Sequence, residues 1–138
     1  MKILFVEDSG LIRRVMVKAI QEAGFTTVEA ENGLEALECL RTHGNSINLV
    51  ILDWNMPKMS GYDALVKIRS QAQYKDIPVL MATADSIEED VKKAIAVGIS
   101  GYIIKPFTPG VLIMKIDSIL RAQDSKSSHP TDLYQPAK

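Results

Sequence analysis

The sequence predicts an α/β fold in which a five-stranded parallel sheet is covered by helices on both faces. Five short, mostly apolar runs are rich in strand-forming residues, and segments with helical spacing separate them. Because parallel strands need crossover connections, and right-handed crossovers can return over either face, five strand–helix units favour this arrangement. The runs are apolar without alternation, which is typical of strands buried on both faces.

The predicted strands cover residues 2–7, 26–30, 48–52, 77–82 and 101–105. The five helical segments are recognised by apolar residues that recur three or four positions apart. In chain order these residues are Leu11, Ile12, Val15, Met16, Ala19 and Ile20; Leu34, Leu37 and Leu40; Leu65 and Ile68; Val91, Ala94 and Ile95; and Leu112, Ile116, Ile119 and Leu120.

Capping residues mark the helix boundaries. At three helix starts a cap residue is followed three positions later by an acid: Asn32 and Glu35, Ser60 and Asp63, and Ser86 and Glu89. The pair Thr108-Pro109 is typical of the N-cap and first position of the fifth helix. Three helices are predicted to end at glycines in the left-handed conformation, namely Gly24, Gly44 and Gly98.

Composition limits the class of protein. A chain of 138 residues fits one domain, which we place at residues 1–122, and residues 123–138 are predicted to form a polar tail or the start of a linker. The formal charge of -1 disfavours direct binding to nucleic acid. The single cysteine, Cys39, excludes an intramolecular disulfide. Without a signal peptide or a membrane-spanning run, we expect a cytoplasmic location and no membrane insertion.

Polar residues follow four of the predicted strands. The first strand ends in Glu7 and Asp8 and the third in Asp53, while Thr83 and Lys105 lie at the ends of the fourth and fifth. Because ligands bind beyond the carboxyl ends of parallel strands, where the strand order reverses, these side chains are expected to share one rim of the sheet.

Taken singly, each residue has an ordinary structural explanation. Asp8 or Ser9 can cap the first helix, and Asp53 can belong to the turn before Met56 and Pro57. Thr83 is a common residue in strands, and a terminal lysine such as Lys105 is usually solvated.

Taken together, the three acids imply a cation. Two carboxylates 4 Å apart repel by about 4 kcal/mol at an effective dielectric constant near 20. Oxygen ligands suit Mg²⁺, which commonly keeps waters and binds phosphate oxygens as well. A lysine beside such a site indicates an anionic guest, and an aspartate can itself accept a phosphoryl group as an acyl phosphate. Asp53 is therefore predicted to be a nucleophile held at the rim by a rigid central strand.

Five segments resemble the receiver domains of two-component response regulators, and are most similar to the stand-alone chemotaxis type. They are VEDSGLIRR, ENGLEAL, ILDWNMPKMSGYDAL, PVLMATAD and GYIIKPFTPG, in the order and spacing of the family. The resemblance covers residues from about Lys2 to Leu120. It implies a flavodoxin-like, doubly wound (βα)5 fold with strand order 2-1-3-4-5.

The resemblance also implies roles for individual residues. Asp53 is the phosphoacceptor, and Glu7, Asp8, Asp53 and the backbone carbonyl of Asn55 bind Mg²⁺. Thr83 and Lys105 contact the phosphoryl oxygens, and Tyr102 is an aromatic switch that follows Thr83. Small Ala84 leaves access to the phosphoryl group, Asn55 and Asp85 tune its loss, and the Lys105-Pro106 peptide is cis. The closest relatives often have Asp at the position of Glu7, although many receivers share the Glu. Because of this difference, both a direct contact of Glu7 with the metal and one through water stay open.

The implied function is to accept a phosphoryl group from a histidine kinase or phosphotransfer protein and to switch the surface formed by the fourth helix, fifth strand and fifth helix. The partners are then the kinase, a downstream protein and a phosphatase, and the receiver is a monomer or weak dimer. Motility control and a phosphorelay are both compatible outputs. Apart from its own phosphorylation and dephosphorylation, no enzymatic activity is expected.

Two other functions remain open. A phosphohydrolase with an aspartyl-phosphate intermediate would place its nucleophile after the first strand and an acid two residues later, where this chain has Asn55, which cannot exchange a proton. A receiver-shaped module that is never phosphorylated would have no need to keep three acids and Lys105 together.

Five other residues lie outside the proposed site. His43 and His129 lack a second ligand at metal spacing and are expected to be solvated, and Cys39 is expected to pack within its helix. Val111 and Met114 lie off the main apolar stripe of the fifth helix, so they either widen the core face or form a partner surface, which we favour.

Overall fold

A computed structural model describes residues 1–84 and 88–128. It contains five parallel strands in the order β2-β1-β3-β4-β5, and the predicted doubly wound (βα)5 fold is confirmed. The elements are β1 Lys2–Val6, α1 Gly10–Glu22, β2 Thr26–Ala30, α2 Gly33–His43, a 3-10 turn Gly44–Ser46, β3 Ile47–Asp53, α3 Gly61–Arg69, β4 Val79–Thr83, α4 Glu88–Val97, β5 Gly101–Ile104 and α5 Pro109–Ser128.

The helices cover the two faces of the sheet unequally. Helices α1 and α5 pack on one face, where Ile20 and Ile116 contact the alternate strand residues that include Phe5 and Ile51. Helices α2, α3 and α4 cover the other face, where Leu40 and Leu65 lie among residues such as Leu52. Because β1, β3 and β4 lie between these two layers, their side chains are buried on both sides, which explains their unbroken apolar sequence.

Most of the predicted helix starts are confirmed by hydrogen bonds. Asn32 Oδ1 accepts from the Glu35 N–H at 2.9 Å, and Ser60 Oγ accepts from the Asp63 N–H at 3.1 Å. Thr108 Oγ1 accepts from the N–H of Val111 at 3.2 Å, as expected for the cap of α5. The predicted cap at Ser86 lies outside the described residues.

Ser9, rather than Asp8, caps α1, since its hydroxyl oxygen accepts from the Ile12 N–H at 3.3 Å. The cap does not need the Asp8 carboxylate, which leaves that group available for another role. The three predicted helix-ending glycines have positive φ values of 102°, 59° and 123° at Gly24, Gly44 and Gly98, which glycine adopts readily. Gly44 has a ψ of -133°, so it does not adopt the left-handed helical conformation that was predicted for it.

Two boundaries differ by more than one residue from the sequence prediction. Strand β4 begins at Val79 rather than at residue 77, because Pro78 has no N–H to contribute to the ladder and only its carbonyl accepts, from Val50. Helix α5 continues to Ser128 and so enters the segment predicted to be a tail. In the described part of the chain, no helix is both long enough and apolar enough to cross a bilayer.

Several residues with helical spacing are exposed rather than buried. On α1, Leu11 and Val15 face solvent while Met16, Val17 and Ile20 form the buried face. On the other helices Leu34, Ile95, Val111 and Met114 are exposed as well. Val111 and Met114 therefore do not widen the core face of α5.

Candidate functional site

Three acids meet at the carboxyl ends of the two central strands. Strand β1 is bonded to β2 on one side and β3 on the other, so the strand order reverses there. Glu7 and Asp8 follow β1, and Asp53 is the last residue of β3. One carboxylate oxygen from each acid lies within 4.8 Å of the others. Glu7 and Asp53 are buried and Asp8 is exposed, so the cluster opens to solvent on one side.

Backbone hydrogen bonds fix the Asp53 end of β3. The Trp54 N–H donates to the carbonyl of Ala82 at 2.7 Å, and the Gly61 N–H donates to the Trp54 carbonyl at 2.9 Å. Gly61 is buried so close to the Asp53 carbonyl that a Cβ atom at this position would clash with it. Glycine at 61 therefore lets the start of α3 pack directly against the backbone that presents the Asp53 side chain.

Lys105 brings a positive charge to the acids. The backbone N–H of Lys105 donates to the Thr83 carbonyl at 2.7 Å, which extends the pairing of β4 and β5. The peptide bond between Lys105 and Pro106 is cis, as expected. The Lys105 Nζ lies 2.9 Å from Asp53 Oδ2 and 3.1 Å from Glu7 Oε1. The ammonium group thus forms ion pairs with the two buried acids at once.

The pKa values of Glu7 and Lys105 reflect this burial and pairing. Burial raises the pKa of the Glu7 carboxyl above its ordinary value, and the nearby charge of Asp53 adds to the rise, against a hydrogen bond from the Ser9 N–H and the pairing with Lys105. For Lys105, burial disfavours the ammonium, but hydrogen bonds and charge from Asp53 and Glu7 outweigh it and raise the pKa. Lys105 therefore stays protonated, whereas keeping Glu7 ionised in the folded protein costs free energy.

The loop after Asp53 turns back onto the same carboxylate. The Asn55 N–H donates to Asp53 Oδ1 at 3.3 Å, and Lys58 has a φ of 70°, so the loop bends sharply. Asn55 is thus beside Asp53, and the role of its carbonyl as a metal ligand stays a prediction.

The structure also places most of the remaining predicted residues. Thr83 is buried at the end of β4, next to Ala82, which pairs with Asp53. Exposed Ala84 lines an apolar pocket together with Lys105 and Pro106. Tyr102 is 40% exposed on β5, with the Lys115 Nζ 6.0 Å from the centre of its ring, so its side chain points outward. Asp85 lies outside the described residues.

Two features of the site were not predicted from the sequence. Arg13 on α1 donates from Nη1 to the carbonyl oxygen of Glu7 at 2.7 Å. Trp54, beside the candidate acceptor, packs against Tyr62 with 5.6 Å between ring centres, and the Lys93 Nζ lies 5.4 Å from the Tyr62 ring centre. The contact of Arg13 had one signal in the sequence. The run VEDSGLIRR places a basic residue about one helical turn after the acids.

The residues present fit a hard divalent cation. Every side-chain donor in the cluster is a carboxylate oxygen, and Mg²⁺ prefers oxygen ligands and commonly takes one or two carboxylates. The partial exposure of the cluster through Asp8 leaves room for waters and an anionic guest.

Comparison with known proteins assigns the family. A family model of the response regulator receiver domain matches residues 3–117. The chain belongs to the response regulator receiver family. Receivers of this family bind Mg²⁺ in an acidic pocket, and in this receiver the corresponding acids are Glu7, Asp8 and Asp53.

The receiver is similar to chemotaxis proteins over most of its length. It is 40% identical over 125 residues to the chemotaxis protein CheY1 of Helicobacter pylori, covering 90% of this chain and 100% of the relative. It is 41% identical to the chemotaxis protein CheY of Pseudomonas aeruginosa, covering 86% of this chain and 95% of that one. These similarities support the predicted resemblance to chemotaxis-type receivers.

Solved structures agree with the fold. The chemotaxis response regulator CheY4 of Vibrio cholerae matches the receiver with a TM-score of 0.80 and 35% identity, over 86% of this chain and 97% of that one. The receiver domain of a signal transduction histidine kinase from Syntrophus aciditrophicus matches with a TM-score of 0.79 and 27% identity, over 99% and 96% of the chains. The receiver thus resembles both a chemotaxis regulator and a domain of a kinase.

Proposed function

We propose that Asp53 accepts a phosphoryl group from a phosphohistidine of a sensor histidine kinase or phosphotransfer protein, in the presence of Mg²⁺. One observation carries this proposal: the buried Asp53 carboxylate lies 2.9 Å from the Lys105 ammonium, inside a cluster of three acids within 4.8 Å. An acid whose only task was to close a turn would not need burial, a lysine partner and two further carboxylates. The receiver function belongs to residues 1–122.

The transfer exchanges one bond for another. A carboxylate oxygen of Asp53 attacks phosphorus, a phosphorus–oxygen bond forms, and the bond to the histidine nitrogen breaks, leaving its electron pair on that nitrogen. Lys105 is already within hydrogen-bond distance of the attacking carboxylate, so its charge stabilises negative charge that develops on the phosphoryl oxygens. Thr83, at the end of the adjacent strand, offers its hydroxyl to one of those oxygens.

Glu7, Asp8, Asp53 and the carbonyl of Asn55 are the residues that would hold the metal ion. When bound, Mg²⁺ neutralises negative charge on the phosphoryl oxygens and orients them. The protein residues keep the acids together before the ion arrives, because Lys105 offsets the repulsion between Glu7 and Asp53.

Phosphorylation then changes the surface of α4, β5 and α5. The new group adds roughly -1.5 to -2 charges and three acceptor oxygens, enough to draw in Thr83 and let the exposed Tyr102 turn inward. A shift from 1:99 to 99:1 requires about 5.5 kcal/mol, which several charge-assisted hydrogen bonds can supply. Ala84 leaves access to the phosphoryl group, and Asn55 and Asp85 tune how fast it is lost.

The partners follow from this cycle. They are the kinase or phosphotransfer protein, a downstream protein that binds the switched surface, and a phosphatase, with the receiver acting as a monomer or weak dimer in the cytoplasm. The CheY relatives favour chemotaxis or motility as the output, and the similarity to a receiver from a histidine kinase keeps a phosphorelay as the second candidate.

Trp54 provides the test, because it follows Asp53 directly and is the only tryptophan. We expect Mg²⁺ to change its fluorescence, and beryllofluoride or a small acyl phosphate donor to change it further. Asp53→Asn should abolish the donor response and the incorporation of labelled phosphate. Asp63→Asn, which alters an exposed aspartate on α3 outside the cluster, is the matched control and should behave as the wild type.

Two results would contradict the proposal. Donor-dependent labelling that is unchanged in Asp53→Asn would show that another residue is the acceptor. Rapid release of phosphate from monoesters over many turnovers would favour a phosphohydrolase instead.

A further inference from the structure

Arg13 reaches from the first turns of α1 back to the end of β1. Its Nη1 donates to the backbone carbonyl of Glu7 at 2.7 Å, and its Nε donates to Glu29 Oε1 on β2 at 3.2 Å. The Arg13 side chain is only 17% exposed, whereas that of Glu29 is 49% exposed. Its Nη2 also lies 3.8 Å from Glu31 Oε2, just after β2. The half-buried guanidinium therefore bridges the backbone of the acid pair and the neighbouring strand.

The carbonyl that Arg13 contacts belongs to the peptide bond between Glu7 and Asp8. On the other side, the Glu7 N–H donates to the carbonyl of Ala30 at 3.0 Å, and the Ser9 N–H donates to Glu7 Oε2 at 3.0 Å. With both its N–H and its carbonyl held, the backbone of Glu7 cannot rotate independently. The plane of the Glu7–Asp8 peptide sets the direction in which the Asp8 side chain leaves the chain.

Asp8 depends on this bond more than the other two acids do. Glu7 and Asp53 are buried and are each held by Lys105, whereas Asp8 is exposed at the edge of the cluster. Its orientation toward Glu7 and Asp53 thus rests on its backbone, and Arg13 supplies the hydrogen bond to the carbonyl just before it.

We propose that Arg13 is a positioning residue for the metal site, acting through the Glu7–Asp8 peptide to hold the Asp8 carboxylate in the cluster. The inference rests on the proposed function, since it assumes that the three acids bind Mg²⁺. Arg13 does not contact the metal or the phosphoryl group itself.

Removing Arg13 would change the affinity for Mg²⁺ in opposite directions through its charge and through its hydrogen bond to Glu7. A positive charge near the acids repels Mg²⁺, so loss of charge alone would tighten binding. Loss of the hydrogen bond would loosen it, and removing a partner that orients a metal ligand commonly costs about 10–100-fold in affinity. The direction of the change therefore distinguishes the two effects.

The experiment is a Mg²⁺ titration followed by Trp54 fluorescence on the full chain. We expect Arg13→Gln to raise the Kd for Mg²⁺ about tenfold. Arg13→Lys keeps the repelling charge but not the fork, so no loss of charge offsets the loss of position, and it should raise the Kd at least as much. Arg14→Gln is the matched control, because within the described residues its exposed side chain makes no hydrogen bond or ion pair. It should leave the Kd unchanged or slightly lower.

A second measurement separates positioning from catalysis. At saturating Mg²⁺, the maximal rate of labelling by a small phosphodonor should be close to wild type in Arg13→Gln, because Asp53, Thr83 and Lys105 are intact. The Mg²⁺ concentration needed for half of that rate should rise with the Kd.

The outcomes are distinguishable. A Kd in Arg13→Gln that equals that of Arg14→Gln, with only a lower unfolding temperature, would overturn the inference and leave Arg13 as a brace between α1 and β2. If Arg13→Gln does not fold, the Kd of Arg13→Lys decides: a rise supports the inference and an unchanged value overturns it. If the wild type gives no Mg²⁺ response, the proposed function fails and the inference falls with it.

Discussion

The centre and the edge of the sheet differ in how their side chains meet solvent. In β3, at the centre, nearly every residue is buried, and the strand ends in the buried carboxylate of Asp53. In β5, at the edge, Tyr102 and Ile104 are 40% and 42% exposed and only Ile103 is buried. The proposed phosphoryl chemistry therefore lies at the buried centre, while the exposed apolar groups proposed for reversible contact lie at the edge.

Lys105 connects the two regions. It directly follows the edge strand β5, yet its ammonium group binds Asp53 and Glu7 at the centre. A change at Asp53 thus alters the charge that faces the end of the strand bearing Tyr102. This arrangement gives the proposed switch a short physical path from the acceptor to the surface.

The largest expected contrast is in stability. Leu52→Ala removes a fully buried side chain from the central strand and should lower the free energy of unfolding by about 2–5 kcal/mol. Ile104→Ala, on the edge strand, should cost about 1 kcal/mol or less, because much of that side chain is already in water. Urea denaturation measures both. Equal costs would show that the edge is packed as tightly as the centre.

Lys105→Met should affect chemistry rather than packing. Without the ammonium, labelling of Asp53 by a small phosphodonor should slow about 100-fold, as when one charge-stabilising donor is lost from a reacting site. The affinity for Mg²⁺ should increase, because Lys105 no longer competes for the carboxylates of Glu7 and Asp53.

Lys115→Met, which removes an equal charge near Tyr102, is the control for Lys105→Met and should change neither quantity. Weaker Mg²⁺ binding in Lys105→Met would mean that the lysine holds the acids in place for the metal rather than competing with it.

The elements of the fold were largely predictable because their signals are local. An N-cap such as Asn32 and a helix-ending glycine such as Gly98 act within a few residues of chain, and both predictions are confirmed. The grouping of Glu7, Asp8 and Asp53 was predictable for a different reason, since parallel strands bring their carboxyl ends to one rim.

Contacts between distant segments could not be predicted. Helical spacing marks a wide stripe on α1, but only its packing against the sheet and α5 decides that Ile20 is buried and Leu11 is not. Arg13 was missed because its partners, the Glu7 carbonyl and Glu29, meet only after β1 and β2 have paired. The contact of Tyr62 with Trp54 and Lys93 likewise joins three separate elements.

The pH dependence tests the cost of burying charge at the centre. Because the pKa of Glu7 is raised in the folded protein, its contribution to stability is fully present below the ordinary value near 4.5 and is lost as pH rises through the raised pKa. In the absence of Mg²⁺, Glu7→Gln should therefore be more stable than wild type at pH 7, and the difference should vanish below about pH 4.5. The gain is modest, since Lys105 and the Ser9 N–H offset part of the burial.

Unfolding in urea at a series of pH values, without metal, measures this difference. The same variant should bind Mg²⁺ more weakly, because one charged ligand is lost. A Glu7→Gln variant that is less stable at pH 7 would show that pairing with Lys105 outweighs burial, and the centre would then be held together by its charges rather than in spite of them.

The smallest expected effect is at Met114 on α5. This side chain is 72% exposed, so Met114→Ala should change the free energy of unfolding by no more than about 0.5 kcal/mol and leave Mg²⁺ binding and labelling as in wild type. Ile116→Ala, on the buried face of the same helix, should cost about 2–5 kcal/mol under the same conditions. An exposed methionine that contributes nothing to folding or phosphorylation is free to serve contact with a partner, where its flexible side chain adapts to different surfaces. If Met114→Ala instead lowered stability as much as Ile116→Ala, this exposed face of α5 would contribute to the core and would not be free for a partner.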